Sequence, residues 1–437
     1  MEKLSKKDLI FMSFMLFSMF FGAGNLIFPP YLGSMAGDHV WLALIGFILS
    51  AVGLPLLGVA AIARTGSFDR LAGRVHPLFA LLFPLAIYLC IGPALGIPRA
   101  GSLAFEMGIK PLLPSALADE PVSLFLYSLC FYSLVLWLSR TPSKLVERFG
   151  KLLTPLLLIL ILLIFLKSLF SPLPPVGAPQ GQYFAHPVFQ GFLDGYQTGD
   201  ALGALAFGIV VANAIRSKGI ESNKKISTYM MRSGLLAGGL LTILYLILGS
   251  LGAASASFGR AENGAQTLSN VMNSLFGAGG TLLLGAVFFL ACLCVSIGLT
   301  TSCSQYFATL SSRVSYQTWV NAVCAVSLII ANLGLTNILA FSLPLLGLLY
   351  PVAIVLILLA LSERSGGANV ALFRMTVCTV LLYSGLDLIN QTLLSQAWNS
   401  VFSRLPLYSV GAGWILPALV AGCFSLMFRR RAAIGTK

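Results

Sequence analysis

Charge is scarce in this chain. Only 9% of its 437 residues are Asp, Glu, Lys or Arg, against about 25% in ordinary soluble domains. So few charges cannot cover a water-soluble globule of this size. Histidine is scarcer: His39, His76 and His186 are the only three. They lie far apart and near the ends of apolar segments, which argues against a histidine-built metal centre. The eight cysteines lack the spacing of a disulfide framework or a zinc site, and all fall inside apolar segments, as small packing residues do. No linker divides the chain, so 1–437 reads as a single domain.

What is abundant is apolar length. The chain is 57% hydrophobic with mean hydropathy +0.91. A membrane helix needs roughly 20 apolar residues, which leaves room for about twelve. The segments fall near 9–30, 39–63, 76–98, 121–139, 152–170, 190–215, 233–255, 278–310, 315–333, 337–361, 372–395 and 407–428. An all-α integral membrane protein is predicted.

The formal net charge of +13 would suit nucleic acid only if it were clustered in a folded domain, and no loop is long enough to hold one. Counting the gaps alternately, 22 of the 27 basic residues fall in one set, including Lys3, Arg64, Arg140, Lys218, Arg374 and Arg429. Arg99, Lys110, Lys167, Arg260 and Arg404 make up the other. Such asymmetry orients a membrane protein and sets both termini in the cytoplasm. The bilayer is thus the expected partner, nucleic acid is not, and no obligate protein partner is evident. Lys3, Lys6 and Lys7 ahead of an apolar run imitate a secretory signal. Cleavage there would spoil the charge asymmetry, so the segment is expected to be the first span. Arg99, after Pro93 and Pro98, is expected at the outer interface. A short capping helix on the outer face is expected around Glu262 to Asn273.

Five spans (9–170) followed by five more (190–361) start on opposite sides of the membrane, the topology of an inverted repeat, with two further spans over 372–428. Secondary transporters are often built this way, with their sites at discontinuous helices. The first span of each half carries break signals: FFGAGNLIFPP at 20–30 and GYQTGDALGALAFG at 195–208. Glycine and proline weaken a helix interior, and an opened backbone is tolerated only where protein or a polar cavity supplies partners. Close helix packing on the glycines is the alternative for either segment alone.

Asp200 is the only acid placed deep within a span. A lipid-facing carboxylate there is costly, so it suits a bound ammonium, a cation, a proton path or the amides of an opened helix. The segment ACLCVSIGLTTSCS at 291–304 is rich in hydroxyls. Thr300 and Thr301 lie one turn beyond Ile297, where hydroxyls and a freed carbonyl could hold Na⁺. Such hydroxyls also commonly bond back to their own i−4 carbonyls. Tyr88 suits a cavity wall or a packed position.

At FFGAGNLIFPP, GYQTGDALGALAFG and SIGLTTSC, and over nearly its whole length, the chain resembles the branched-chain amino-acid transport system II carriers of the amino acid–polyamine–organocation superfamily. The resemblance implies a leucine-transporter-type fold: a 5+5 inverted repeat with helices one and six discontinuous, plus two extra helices. It implies Na⁺ symport of L-leucine, L-isoleucine or L-valine across the bacterial cytoplasmic membrane. By the same match, the amides of Gly22, Ala23 and Gly24 bind the substrate carboxylate. The carbonyls of Phe20, Ala201 and Leu202, near Asp200, receive the ammonium, and Ala204 and Phe207 shape the aliphatic pocket. Sodium takes the carbonyls of Ser18, Phe21 and Ile297 and the hydroxyls of Thr300 and Thr301. Asn25 matches a second cation position in one related family. A proton-coupled or exchange carrier using Asp200 is the alternative. No second deep acid accompanies Asp200, as an aspartyl protease would need, so no enzyme is expected.

Overall fold

Backbone in hydrocarbon must satisfy its own polar groups, and this chain does so by helices. The computed structural model describes residues 3–118, 120–171, 175–255, 261, 263–363, 369–408 and 411–434, and no strand occurs among them. Arg260, Arg364 and Lys437 of the charge pattern, and Glu262 of the capping helix, lie outside the described residues. Among the described residues, eight helical runs are long and apolar enough to cross a membrane, or nine if one bent pair counts as a span.

Several boundaries differ from expectation. The first apolar segment is two helices, Lys6–Phe20 and Ala23–Ala36. Pro29 and Pro30 do not break the chain but lie inside the second. Helical structure runs on to Thr65 through a short turn at Gly37–His39 and a wide turn at Leu49–Gly53. The third segment does not stop at residue 98. It bends at Cys90–Ala94, where Gly92 is non-helical, and continues as Gly96–Gly108. Pro98 sits in the first turn of that helix, where a missing N–H removes no helical bond. The last segment starts eight residues later than expected, as Ile415–Ile434, because Leu407 and Gly411 adopt left-handed conformations that interrupt any helix before it. The surface helix is Gly264–Phe276, capped by the Asn263 side chain.

Two long helices and the interrupted ones enclose the core. The Asn223–Ala253 helix packs so closely on Ala23–Ala36 that a Cβ on Gly252 would lie 2.0 Å from the Pro30 carbonyl oxygen. The Ala278–Leu310 helix crosses the other side and is buried through most of its length. Outward, Leu162, Leu163, Leu166 and Leu169 of Thr154–Phe170 are exposed, a face that suits lipid rather than water.

Basic residues from gaps far apart in the sequence meet at one end. Arg64 donates to the carbonyls of Leu361 (3.0 Å) and Glu363, Arg74 pairs with Glu363, and Arg374 donates to the Val75 carbonyl at 2.8 Å. Near the amino terminus, Lys218 Nζ lies 2.8 Å from Asp8 Oδ1, and the Leu4 N–H donates to the Tyr229 hydroxyl at 3.1 Å. All these basic residues belong to the majority set of the charge pattern.

Candidate functional site

The two glycine-rich segments are broken, each for a local reason. Between Lys6–Phe20 and Ala23–Ala36, Phe21 (φ −74°, ψ 87°) and Gly22 (φ −117°, ψ −159°) leave helical conformation. The Gly22 N–H donates to Asn25 Oδ1 at 3.1 Å. That diverts it from the Ser18 carbonyl, its helical acceptor four residues back, and the last carbonyls of a helix have no intrahelical donor of their own. The first amides of the Ala23–Ala36 helix are likewise unclaimed by helical acceptors. Between Pro187–Tyr196 and Asp200–Arg216 the axis bends by 42°. Gly199 makes that turn at φ 83°, a left-handed conformation that side chains disfavour. A Cβ there would meet nothing within 4 Å, so conformation rather than space demands glycine.

A buried polar cluster ties the breaks together. Asn25 Nδ2 donates to Asp200 Oδ2 at 2.6 Å and to the Tyr245 hydroxyl at 2.5 Å. The Tyr245 hydroxyl in turn donates to the same carboxylate oxygen at 3.4 Å. Asp200 is therefore held by two donors from two other helices, which compensates part of the cost of burying a carboxylate.

A cavity opens at this junction. Phe20, Gly22, Ala23, Gly24, Asp200 and Phe207 line it, as does Asn25. The walls are apolar where Phe20 and Phe207 meet edge to face at 5.4 Å and where Ile91, Leu95, Val295 and Leu299 face inward. Ala201, Leu202 and Ala204 are not part of the lining. The helix presents Asp200, Gly203 and Phe207, spaced i, i+3 and i+7, to the cavity. Ala204 instead packs its methyl against Gly58, where a Cβ would come within 2.9 Å. The Ala201 N–H donates to the Tyr350 hydroxyl at 3.4 Å, and Leu202 is fully buried. Tyr88 is a packed residue: it donates to the Ala206 carbonyl at 3.0 Å and stacks on Tyr306. Leu346 lines both this cavity and a wider vestibule bordered by Tyr196, Tyr350 and Trp414.

Arg99 corrects the sequence reading. It does not lie at an outer interface but lines the cavity from the first turn of Gly96–Gly108. The signal was partial: Leu103, Ala104 and Phe105 carry apolar sequence past the arginine, but Gly101 and Ser102 intervene and read as a turn. Tyr245 was missed altogether, because one tyrosine in a long apolar helix does not announce its direction.

The hydroxyl-rich helix reaches the first break. Cβ atoms on Gly22 and Gly298 would approach Val295 at 3.0 Å and Met19 at 2.7 Å. Thr65 and Thr242 donate to their i−4 carbonyls, but Thr300 and Thr301 do not. Their hydroxyl oxygens are buried and make no hydrogen bond of good geometry; the groups within reach are the Cys324 thiol for Thr300 and the Tyr316 hydroxyl for Thr301. Ile297 is buried on the same helix, and Ser18 Oγ lies 2.7 Å from Thr154 Oγ1.

Discontinuous apolar helices around a partly polar cavity are the features of a membrane transporter. In fold the chain is similar to Mhp1, a nucleobase-cation-symport-1 family transporter solved in a closed conformation with bromovinylhydantoin bound. The TM-score is 0.59 at 14% identity, over 98% of this chain and 93% of that one. The chain belongs to the branched-chain amino acid transport protein family, which it matches over residues 5–432. It is 44% identical to the branched-chain amino acid permease BraB of Bacillus subtilis over 96% of this chain and 95% of that protein. Identity is 42% to the branched-chain amino acid transport system 2 carrier protein of Pseudomonas aeruginosa, covering 96% of each, and 36% to the permease BrnQ of Escherichia coli, covering 99% of this chain and 98% of BrnQ. It is a transporter, not an enzyme.

Proposed function

We propose that this chain imports leucine, isoleucine and valine together with Na⁺ by alternating access. The observation that carries the reading is the cavity where both broken helices meet, with an aliphatic wall and two kinds of polar group around it. The unclaimed amides of Ala23 and Gly24 and the positive end of the Ala23–Ala36 helix dipole suit the substrate carboxylate, beside Gly22, whose own N–H is held by Asn25 Oδ1. The carboxylate of Asp200 and the released carbonyl of Phe20 suit the ammonium. Phe20, Phe207, Ile91 and Leu299 suit a branched aliphatic side chain. The relatives named as branched-chain amino acid permeases and carriers support the substrate class.

Sodium is the co-transported ion in this reading. The carbonyls of Ser18 and Phe21, free of helical donors at the first break, lie on the helix that packs against Ala278–Leu310. That second helix offers Ile297 and the orphaned hydroxyls of Thr300 and Thr301, and neutral oxygens of this kind suit a hard cation. Joint binding of ion and substrate draws the broken helices together, and Leu346, between cavity and vestibule, is the residue that must move for entry. The fold in this reading is twelve spans, the first ten forming a leucine-transporter-type 5+5 inverted repeat, in one domain. Matched breaks in the first helix of each half support it. The basic residues gathered at one end support a bacterial cytoplasmic-membrane location with both termini inside.

Radiolabelled leucine uptake by purified protein in liposomes tests the reading. An inward Na⁺ gradient should drive accumulation and a pH gradient alone should not. Accumulation driven by pH without Na⁺ would favour proton coupling through Asp200, the buried carboxylate at the cavity.

A further inference from the structure

Arg99 stands in an unusual position for a cation. It lines the central cavity, deep in an apolar bundle, yet its guanidinium makes no ion pair or side-chain hydrogen bond among the described residues. Its backbone is fixed: the Arg99 N–H donates to the Leu95 carbonyl at 2.9 Å, starting a helix just after the bend at Cys90–Ala94. Asp200, the anion of the same cavity, is already engaged by Asn25 and Tyr245. The cavity thus holds one carboxylate with its own donors and one guanidinium with no acceptor. Half-buried and facing the cavity, a cation this deep in an apolar bundle with no hydrogen-bond acceptor among the described residues is costly. An arriving carboxylate would remove that cost, and the planar guanidinium fork accepts a carboxylate in two parallel hydrogen bonds.

The rest of the lining narrows the ligand. Ile91, Leu95, Val295 and Leu299 are apolar, and the aromatic pair Phe20–Phe207 also forms part of the wall. One positive group, one negative group and an aliphatic wall complement a zwitterion with an apolar side chain. They do not complement a neutral amide or a simple amine.

We propose that Arg99 is a specificity-determining residue that binds the substrate's α-carboxylate alongside the amides of Ala23 and Gly24, and so restricts transport to free amino acids. This rests on the amino-acid transport reading above. A carboxylate-blind site would accept leucinamide, which keeps the ammonium and side chain and carries no negative charge. Arg99 makes the carboxylate a requirement, because leucinamide leaves the guanidinium unpaired.

The test is competition of leucine and of leucinamide against radiolabelled leucine, using the purified full chain in nanodiscs with Na⁺ present. Wild type, Arg99→Gln and Arg99→Lys are compared. The leucine-to-leucinamide affinity ratio should be large in wild type. In Arg99→Gln it should fall by about 10- to 100-fold, roughly what hydrogen bonds to a charged group are worth, through weaker leucine binding with leucinamide little changed. Arg99→Lys should retain part of the ratio. Because both ligands are measured on the same sample, a partly unfolded variant lowers both signals together and leaves the ratio intact. An unchanged ratio in Arg99→Gln overturns the inference and leaves the transport reading standing. Failure of wild type to bind leucine overturns both.

Discussion

Asn25 Nδ2 lies 2.6 Å from Asp200 Oδ2 and thereby joins the two broken helices across the cavity. Neither residue is near the other in sequence, and each sits within three residues of its own break. The bond does two things: it helps solvate a buried carboxylate and it fixes the helix ends at which substrate groups are expected. Asn25→Ala removes a donor to a buried anion and the cap on Gly22 together. Loss of a hydrogen bond to a charged group costs about 1.5–3 kcal/mol, so leucine KM should rise by roughly 10- to 100-fold. Asp200→Asn keeps the shape and loses the charge, and should weaken leucine binding by a similar factor. Uptake kinetics in proteoliposomes check both.

Thr301→Ala removes an orphaned hydroxyl from a helix that packs against the first break. Deleting an unpartnered buried hydroxyl should not destabilise the fold, so detergent-solubilised thermal stability should stay close to wild type. Leucine uptake should lose its stimulation by Na⁺. Undiminished stimulation would remove Thr301 from the ion site.

Gly199 and Gly277 offer a matched pair. Both have positive φ, 83° and 57°, and a Cβ at either would meet nothing within 4 Å. Alanine at either position should therefore cost about 1–3 kcal/mol of backbone strain and lower the melting temperature to a comparable extent. Only Gly199→Ala, at the second break, should also reduce leucine uptake per folded molecule. Equal transport losses in both would assign the effect to stability alone.

At the basic end, the Lys218 ammonium beside Asp8, with help from the Ser5 hydroxyl at 2.6 Å, holds the Asp8 carboxyl below its ordinary 3.8. A lowered carboxyl contributes stability above its ordinary range and loses it as pH falls through the lowered value. At neutral pH the tie is intact, though salt screens a pair this exposed. Asp8→Asn should loosen the contact between the amino-terminal helix and the end of Asp200–Arg216. Alkylation from the basic side of a cysteine introduced at Ile209, which lines a cavity on that side, should then speed up by about two- to fivefold over the Ile209→Cys parent, in keeping with an exposed ion pair. Unchanged alkylation would show the pair to be ornamental.

Much of this site is legible in the sequence because a few residue types betray it. Glycines inside otherwise apolar segments mark Gly22 and Gly199, and an acid among apolar neighbours marks Asp200. The hydroxyl run at 296–304 marks the helix that meets the first break. What the pattern hides is direction. Arg99 at the end of an apolar stretch looks the same in sequence as an interfacial anchor, and only the bend at Gly92 turns it inward. Tyr245 gives no sign that it points at Asp200 rather than at lipid. Ala204 sits among cavity residues in sequence, but packing against Gly58 takes it out of the wall. The late start of Ile415–Ile434 follows from backbone angles at Leu407 and Gly411 that hydropathy does not sense.

The most direct measurement is an experimental structure of the purified chain with leucine and Na⁺ bound. Leucine should lie in the cavity between Gly22–Gly24 and Asp200, its aliphatic group against Phe20 and Phe207. Leucine found instead in the vestibule beside Tyr196 and Trp414, with the central cavity empty, would contradict the assignment of the broken helices as the transport site.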